Sequence, residues 1–269
     1  KRFAAHDWTV DFPRGAMAST VTGADERSLT VEAHFLKKGD LIGLIYESED
    51  RHSHPARARE TRRALVMGAG DAIPTVLTQL GIDATAVPAE KLANEDLSKF
   101  GTVVLGIRAY DTQPEVAKNN GRLLEFVKAG GTLVVQYNTG VSDFNAGHFT
   151  PYPAQLSRAR VSVEDSSVEI LVPQSRVFHV PNEISAKDFD GWVQERGLYF
   201  MDQWDEHYQP LLSCHDPGES AQKGGLLMAP YGKGMYIYSG YAFFRQLPAG
   251  VPGAVRLYVN LLDAGAGSK

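Results

Sequence analysis

The sequence predicts an α/β fold built on a parallel sheet that carries helices on both faces. Three short apolar runs rich in β-branched residues, at 64–67, 102–107 and 132–136, are typical of strands buried on both faces. A helical pattern with its apolar residues on one face occupies residues 114–129, between the second and third runs. Because strand and helix alternate at these spacings, we expect right-handed crossovers and a doubly wound sheet.

Shorter elements complete this alternation. Residues 73–80 are predicted to be a helix, with Asp71 as its cap and Pro74 in its first turn. A short strand at 84–87 and a weaker helical pattern at 93–100 follow. The order of elements resembles a flavodoxin-like arrangement, in which ligands bind at the carboxyl ends of the strands.

The chain becomes irregular after Gly140, and we expect a β insert there. Residues 141–153 are rich in Gly, Pro and aromatic side chains and are predicted to be a loop, whereas residues 251–262 are predicted to be a closing helix. Short strands are predicted at 161–164, 168–172, 198–201, 211–214, 225–230 and 234–239. The last two flank a Tyr-Gly-Lys turn and are expected to form a hairpin.

The N-terminal residues 1–60 are predicted to be a β-rich extension and linker, separate from an α/β domain at 61–265. Apolar and polar residues alternate at 28–35, and an apolar run follows at 41–46, which together indicate a hairpin. Residues 47–63 are dense in charge and histidine, as expected of a solvated loop.

Composition excludes several classes of function. The chain has 269 residues and a formal net charge of −5, which does not support binding to nucleic acid or to an anionic membrane. No apolar run approaches the roughly 18–20 residues that a membrane span needs. The single cysteine excludes an internal disulfide.

Ligand-binding residues are expected at the strand ends and in the aromatic-rich second half. Tyr137 and Asn138 follow the run at 132–136, where a nucleophile would stand in an enzyme of this class. Both side chains suit hydrogen bonding and stacking better than covalent attack. The predicted ligand-binding residues are Arg108, Tyr110, Tyr137, Asn138, Trp192, Arg196, Tyr199 and Arg245.

Signals for catalysis are weaker. Cys214 is followed directly by His215, but adjacent side chains on a strand point to opposite faces and would cooperate poorly. The turn at 68–71 lacks the third glycine of a dinucleotide motif. We therefore predict no catalytic residue, metal or cofactor. An alternative is a hydrolase whose acid/base groups or metal ligands come from Asp143, His148, Glu195 or His215.

Long motifs in the chain carry a family resemblance. The region from 63 to 262 resembles the C-terminal region of large bacterial LmbE-like (PIG-L family) deacetylase proteins. That region is similar to class I glutamine amidotransferase domains and to the flavodoxin-like trimerisation domain of some β-galactosidases. The motifs that carry the resemblance lie at 106–110, 135–140, 188–200, 215–219 and 243–253.

The resemblance implies an accessory role rather than catalysis. The family's deacetylases hold a metal with a Pro-His-Pro-Asp-Asp type motif, which this sequence lacks, and amidotransferases place a Cys where Tyr137 and Asn138 stand. The expected function is a non-catalytic domain that binds a carbohydrate-like ligand or packs on a deacetylase partner domain of the same parent chain. An oligomerisation module is a further alternative. An exported setting is compatible with such a sugar-processing parent, and the sequence leaves the compartment open.

Overall fold

The computed structural model describes residues 63–265 apart from five positions and the side chain of Gln79. Those positions are Met67, Gly70, Asp71, Gly81 and Asp83, so the predicted Asp71 cap lies outside the described residues. Before residue 63, only the course of five strands is described. These are β1 (Arg2–Ala5), β2 (Trp8–Asp11), β3 (Ala18–Thr22), β4 (Ser28–Phe35) and β5 (Leu41–Ser48). β4 and β5 pair antiparallel where the hairpin was predicted, and the predicted linker beyond β5 lies outside the described residues.

A seven-stranded mixed sheet forms the centre of the described chain. Its strands are β6 (Arg63–Val66), β7 (Ala84–Ala86), β8 (Thr102–Leu105), β9 (Thr132–Gln136), β13 (Gln209–Pro210), β15 (Leu226–Tyr231) and β16 (Gly234–Ser239). They lie in the order β13-β15-β16-β9-β8-β6-β7. The pairs from β16 to β7 are parallel, and β15 and β13 are added antiparallel at one side.

The prediction of a flavodoxin-like, doubly wound parallel sheet is therefore wrong, because the sheet is mixed. The predicted hairpin at 225–230 and 234–239 is present, but β16 pairs in parallel with β9, so the hairpin joins the central sheet. Gly232 permits the turn because its φ is +60° and an added Cβ would lie 2.5 Å from the Lys128 carbonyl oxygen. Sequence periodicity identifies these two strands but does not identify their neighbours in the sheet.

Seven α-helices surround the described part of the sheet, and several differ from the prediction. They are α1 (Ile73–Gln79), α2 (Ala109–Thr112), α3 (Pro114–Lys118), α4 (Asn120–Ala129), α5 (Val141–Gly147), α6 (Phe243–Gln246) and α7 (Pro252–Leu262). The predicted helix at 114–129 is broken at Asn119, whose side chain donates to the Glu115 carbonyl oxygen at 2.8 Å and competes with the helical backbone.

Two further predictions of local structure are wrong. The segment 93–100 contains only a short 3-10 turn at Leu97–Lys99, preceded by another at Ala89–Lys91. The predicted loop at 141–153 begins with helix α5 instead. The closing helix α7 lies within one residue of its predicted start.

The insert after α5 consists of short antiparallel pairs. β10 (Ala154–Val161) pairs with β12 (Gly197–Trp204), and β11 (Val168–Ile170) pairs with β14 (Leu212–Cys214). β12 also reaches the central sheet, since the backbone of Leu198 donates to the Gly240 carbonyl oxygen just beyond β16. The insert is thereby placed over the carboxyl end of β16.

The central sheet separates two apolar clusters because its strands alternate their side chains between the two faces. Val104, Val134 and Ile237 belong to one cluster, which includes the buried face of α7. Leu133 and Tyr236 belong to the other cluster, which includes α4. No helix in the described part of the chain is long and apolar enough to cross a membrane. The division of the chain near residue 60 stays a prediction.

Candidate functional site

The carboxyl ends of three neighbouring parallel strands carry the candidate site. β8, β9 and β16 lie side by side, and each is followed at once by polar or aromatic residues. Arg108 follows β8, Tyr137 follows β9, and Phe244 and Arg245 lie on α6 after β16. Because parallel strands end at the same edge of a sheet, residues up to 137 positions apart in sequence are brought together there.

Three aromatic rings meet at this edge. The rings of Tyr137 and Tyr199 are nearly parallel, with centroids 6.0 Å apart and an interplanar angle of 11°. The Phe244 ring lies 5.2 Å from Tyr137 at an angle of 48°. Tyr137 is 7% exposed, whereas Tyr199 and Phe244 are half-buried. The outer two rings therefore present part of their surface to solvent.

A shared carboxylate holds the charged side of the site. The Arg245 guanidinium lies 4.8 Å from the centroid of the Phe244 ring, and its Nε donates to Glu195 Oε1 at 2.8 Å. Arg160 Nη2 donates to the other Glu195 oxygen, also at 2.8 Å. The Glu195 side chain is 6% exposed, and Arg245 Nη1 additionally donates to Gln194 Oε1. A single buried carboxylate thus orients two guanidiniums.

Asp111 holds the opposite side of the site. Its Oδ2 accepts hydrogen bonds from the Thr139 backbone at 2.7 Å and the Thr139 hydroxyl at 2.8 Å, and its Oδ1 accepts from the Gly140 backbone at 3.1 Å. Arg108 Nε lies 3.3 Å from the same carboxylate. The segments after β8 and after β9 are therefore tied together on either side of Tyr137.

The Tyr137 phenol lies in the field of these charges. Burial raises its pKa above the ordinary value, while Arg108 and Arg245 act in the opposite direction and Glu195 and Tyr199 add to the increase. The phenol is therefore protonated at neutral pH and can donate a hydrogen bond.

Backbone strain is concentrated at the same place. Four described residues other than glycine have a left-handed φ, and three of them border the site: Arg108 at +58°, Gln194 at +67° and Tyr199 at +54°. The fourth is His148 at +47°. Such conformations cost of order 1–3 kcal/mol each, persist where the surrounding structure imposes them, and cluster at functional sites.

Four of the predicted ligand-binding residues have structural roles away from the open part of the site. The Tyr110 hydroxyl donates to Asn120 Oδ1 at 2.7 Å, and Asn138, fully buried, bonds the Tyr110 backbone N–H and the Gln136 carbonyl oxygen. Trp192 donates from Nε1 to the Asp188 carbonyl oxygen, and Arg196 lies 5.7 Å from its ring centroid. All four are buried and bond to other groups of the protein, so they do not form part of the open surface.

The structure adds residues that the sequence prediction of the binding set missed. Phe244, Asp111 and Gln194 contact predicted residues, and Arg160 contacts Glu195, which the sequence offers only as an acid/base group or a metal ligand. A signal existed for Phe244, since the Phe-Phe-Arg run follows a predicted strand. No sequence signal joins Asp111 to the strand end at Thr139.

The alternative catalytic groups do not converge. Asp143, His148 and His215 are exposed, and His215 Nδ1 bonds the carbonyl oxygen of its neighbour Asp216. Glu195 is engaged by two arginines. Within the described residues no group of three His, Cys, Asp or Glu side chains is arranged to hold a metal ion.

Cys214 is also poorly placed for nucleophilic attack. It is 1% exposed, and its Sγ lies 3.2 Å from the Tyr241 hydroxyl oxygen. Burial raises the pKa of its thiol to about 11, although Tyr241 and Arg196 act in the opposite direction. The thiolate, which is the reactive form, is therefore scarce at neutral pH.

Comparison with known proteins gives two separate likenesses. A family model described as the non-contractile tail sheath N-terminal domain matches residues 1–68, a minority of the chain. No curated protein matches the chain.

Solved structures match about three quarters of the chain at low similarity. A β-galactosidase from Rahnella sp. R3 is 14% identical with a TM-score of 0.44, covering 76% of this chain and 31% of its own. The exo-β-1,4-mannosidase Op5Man5 from Opitutaceae bacterium strain TAV5 is 10% identical with a TM-score of 0.46, covering 76% and 36%. The chain thus spans about a third of the length of these enzymes, and at such TM-scores the likeness carries no argument about activity.

These findings correct the family resemblance drawn from the motifs. The matching family model is a tail sheath domain, and the matched structures are glycoside hydrolases, not LmbE-like (PIG-L) deacetylases or amidotransferase domains. The expected deacetylase partner domain loses its basis together with that resemblance.

Proposed function

We propose that the described α/β part is a ligand-binding module that takes a carbohydrate or a carbohydrate-like small molecule. The binding surface is the Tyr137 patch, which we define as Tyr137, Tyr199, Phe244, Arg108 and Arg245. The observation that carries the proposal is the meeting of three aromatic rings and two guanidiniums at the carboxyl ends of adjacent parallel strands. Ligands of open α/β sheets bind at this edge.

The chemistry of the patch suits a sugar. The C–H face of a pyranose ring packs on an aromatic face, and Tyr199 and Phe244 both retain exposed ring surface. Guanidinium N–H groups and a protonated phenol donate hydrogen bonds to hydroxyl and ring oxygens. Each arginine is already held by a carboxylate, so less side-chain entropy is lost when a ligand binds.

Glycan binding tests the proposal directly. We expect saturable binding of the purified chain to at least one member of a panel of neutral and acidic oligosaccharides, measured by titration calorimetry. Phe244→Ala should weaken that binding about tenfold or more, because one stacking face is removed.

Tyr231→Ala serves as the matched control. Tyr231 is also a half-buried aromatic, but it pairs with Gly234 at the start of β16 and so lies at the opposite end of the sheet. It should bind as the unchanged chain does. If no oligosaccharide binds, the ligand proposal fails, and the predicted roles in packing on a partner or in oligomerisation gain weight.

A further inference from the structure

The ion pairs that hold the Tyr137 patch in place carry more positive than negative charge. Glu195 is shared between Arg245 and Arg160, so it balances only one of these two guanidiniums. Arg108 is balanced by Asp111, although that carboxylate also accepts three hydrogen bonds from Thr139 and Gly140. The ion pairs at the site therefore comprise three guanidiniums and two carboxylates. This local surplus contrasts with the net charge of −5 of the chain.

Donors in the patch remain unused within the described structure. Arg108 engages only its Nε, and the two Nη groups have no protein acceptor among the described residues. Arg245 engages Nε and Nη1, which leaves Nη2. The Tyr137 hydroxyl likewise has no hydrogen-bond partner in the part of the chain that the structure describes. The side chains of Arg108 and Arg245 are 42% and 34% exposed, so both are open to a ligand.

The two guanidiniums lie near Tyr137 from different strands. The Arg108 backbone N–H donates to the Tyr137 carbonyl oxygen at 2.8 Å, and Arg245 lies against Phe244, whose ring contacts Tyr137. Arg108 follows β8 and Arg245 follows β16, the strands on either side of β9. A planar anion that accepts N–H groups from two sides and an O–H group from the phenol matches the fork geometry of guanidinium donors. Neutral sugar hydroxyls would leave the surplus charge without a partner.

We propose that the ligand is an acidic sugar. Its carboxylate binds between Arg108 and Arg245 and accepts a hydrogen bond from the Tyr137 hydroxyl. The sugar ring then lies against Tyr199 and Phe244. This inference rests on the proposed function and narrows its ligand to a carboxylate-bearing class, of which a uronic acid residue is the simplest member.

The test uses two probes that share their sugar rings and differ at the carboxyl group, which is ionised in one and a neutral methyl ester in the other. An oligogalacturonide and its methyl ester have the same sugar rings, but only the free acid carries carboxylates. We expect the acid to bind the full chain at least about tenfold more tightly than the ester, measured by titration calorimetry at neutral pH. Its affinity should also fall as salt is raised, since the contact is ionic.

Substitutions locate the charge recognition. Arg108→Gln and Arg245→Gln should each lower the affinity for the acid about tenfold and the affinity for the ester by a clearly smaller factor, because the ester forms no ion pair with the guanidinium. Lys118→Gln removes one positive charge from an exposed pair with Glu115 on α3 and should change neither. Thermal melts establish that each variant is folded. Arg108→Gln tests the site independently of the Glu195 ion pairs, because Arg108 does not contact Glu195.

The outcomes separate the two proposals. Equal binding of acid and ester would overturn the acidic-sugar inference while leaving carbohydrate binding intact. Stronger binding of a sulfated galactan than of the oligogalacturonide would also overturn it, since the anion would then be a sulfate. If neither probe nor any neutral glycan binds, the proposed function itself fails.

Discussion

Two arginine–aromatic pairs in this protein have similar ring-to-guanidinium distances but differ in their surroundings. Arg196 lies 5.7 Å from the centroid of the Trp192 ring, and Arg245 lies 4.8 Å from that of Phe244. Arg196 is 3% exposed, whereas the Arg245 side chain is 34% exposed. The hydrogen-bond partners of a guanidinium, rather than its proximity to an aromatic ring, therefore decide whether it can bind a ligand.

In the buried pair, the Arg196 guanidinium donates hydrogen bonds to the protein backbone. Arg196 Nε donates to the Ser166 carbonyl oxygen at 2.8 Å, and Nη1 donates to the Phe189 carbonyl oxygen. Burial lowers the pKa of Arg196, since the charged form is poorly solvated there. Arg196 therefore holds loops of the insert together. Arg245 instead bonds two side chains and keeps an unused donor at the surface.

The largest expected difference between the pairs is in stability. Arg196→Leu should lower the free energy of unfolding by about 3–5 kcal/mol, because two buried carbonyl oxygens lose a charged donor. Arg245→Leu should cost about 1 kcal/mol, since the residue is partly exposed and Arg160 still pairs with Glu195. Urea unfolding of both variants measures the difference, and equal losses would contradict the comparison.

Asp111 provides a second contrast, within the open site. Asp111→Ala should cost about 2 kcal/mol, because the Thr139 and Gly140 N–H groups lose a charged acceptor. It should also weaken ligand binding, as the segment after β9 loses its anchor. Glu115→Ala removes another carboxylate, from an exposed pair with Lys118, and should cost less than about 0.5 kcal/mol. If Asp111→Ala leaves the free energy of unfolding in urea unchanged, Asp111 does not anchor the segment after β9.

The smallest effect concerns Cys214, which is buried near Arg196. Burial raises the pKa of its thiol from 9.0 to about 11, so the unfolded thiol ionises first as pH rises. The stabilising contribution is complete below the unfolded pKa and is lost as pH rises to the folded pKa. Between pH 9 and pH 10 the chain should lose about 1 kcal/mol more stability than Cys214→Ala.

Buried tyrosines whose pKa values are also raised, such as Tyr241, contribute a further loss at high pH in both proteins. The difference between the chain and Cys214→Ala is therefore the quantity to measure, by urea unfolding at pH 8, 9 and 10. If the free energies of unfolding of the chain and of Cys214→Ala fall in parallel as pH rises, the Cys214 thiol near Arg196 is not buried from solvent.

Local patterns in the sequence were sufficient to place most of the strands and the closing helix. The runs at 102–107 and 132–136 became β8 and β9, and the predicted hairpin near Gly232 became β15 and β16. Such patterns depend on residues within a few positions of each other, and side-chain periodicity reports them directly. The strand-end position of Tyr137 was predictable for the same reason.

The tertiary structure alone decided which of the eight predicted binding residues share a surface. It joined Tyr137 to Tyr199, Phe244, Arg108 and Arg245, and it buried Trp192 and Arg196 elsewhere. It also made the sheet mixed, because β16 pairs in parallel with β9 and antiparallel with β15.

The physical reason is that strand pairing and burial depend on contacts between residues far apart in the chain. Residue type determines what a side chain can bond, and Arg196 and Arg245 are identical in that respect. Only the packing around each of them determines which donors remain for a ligand.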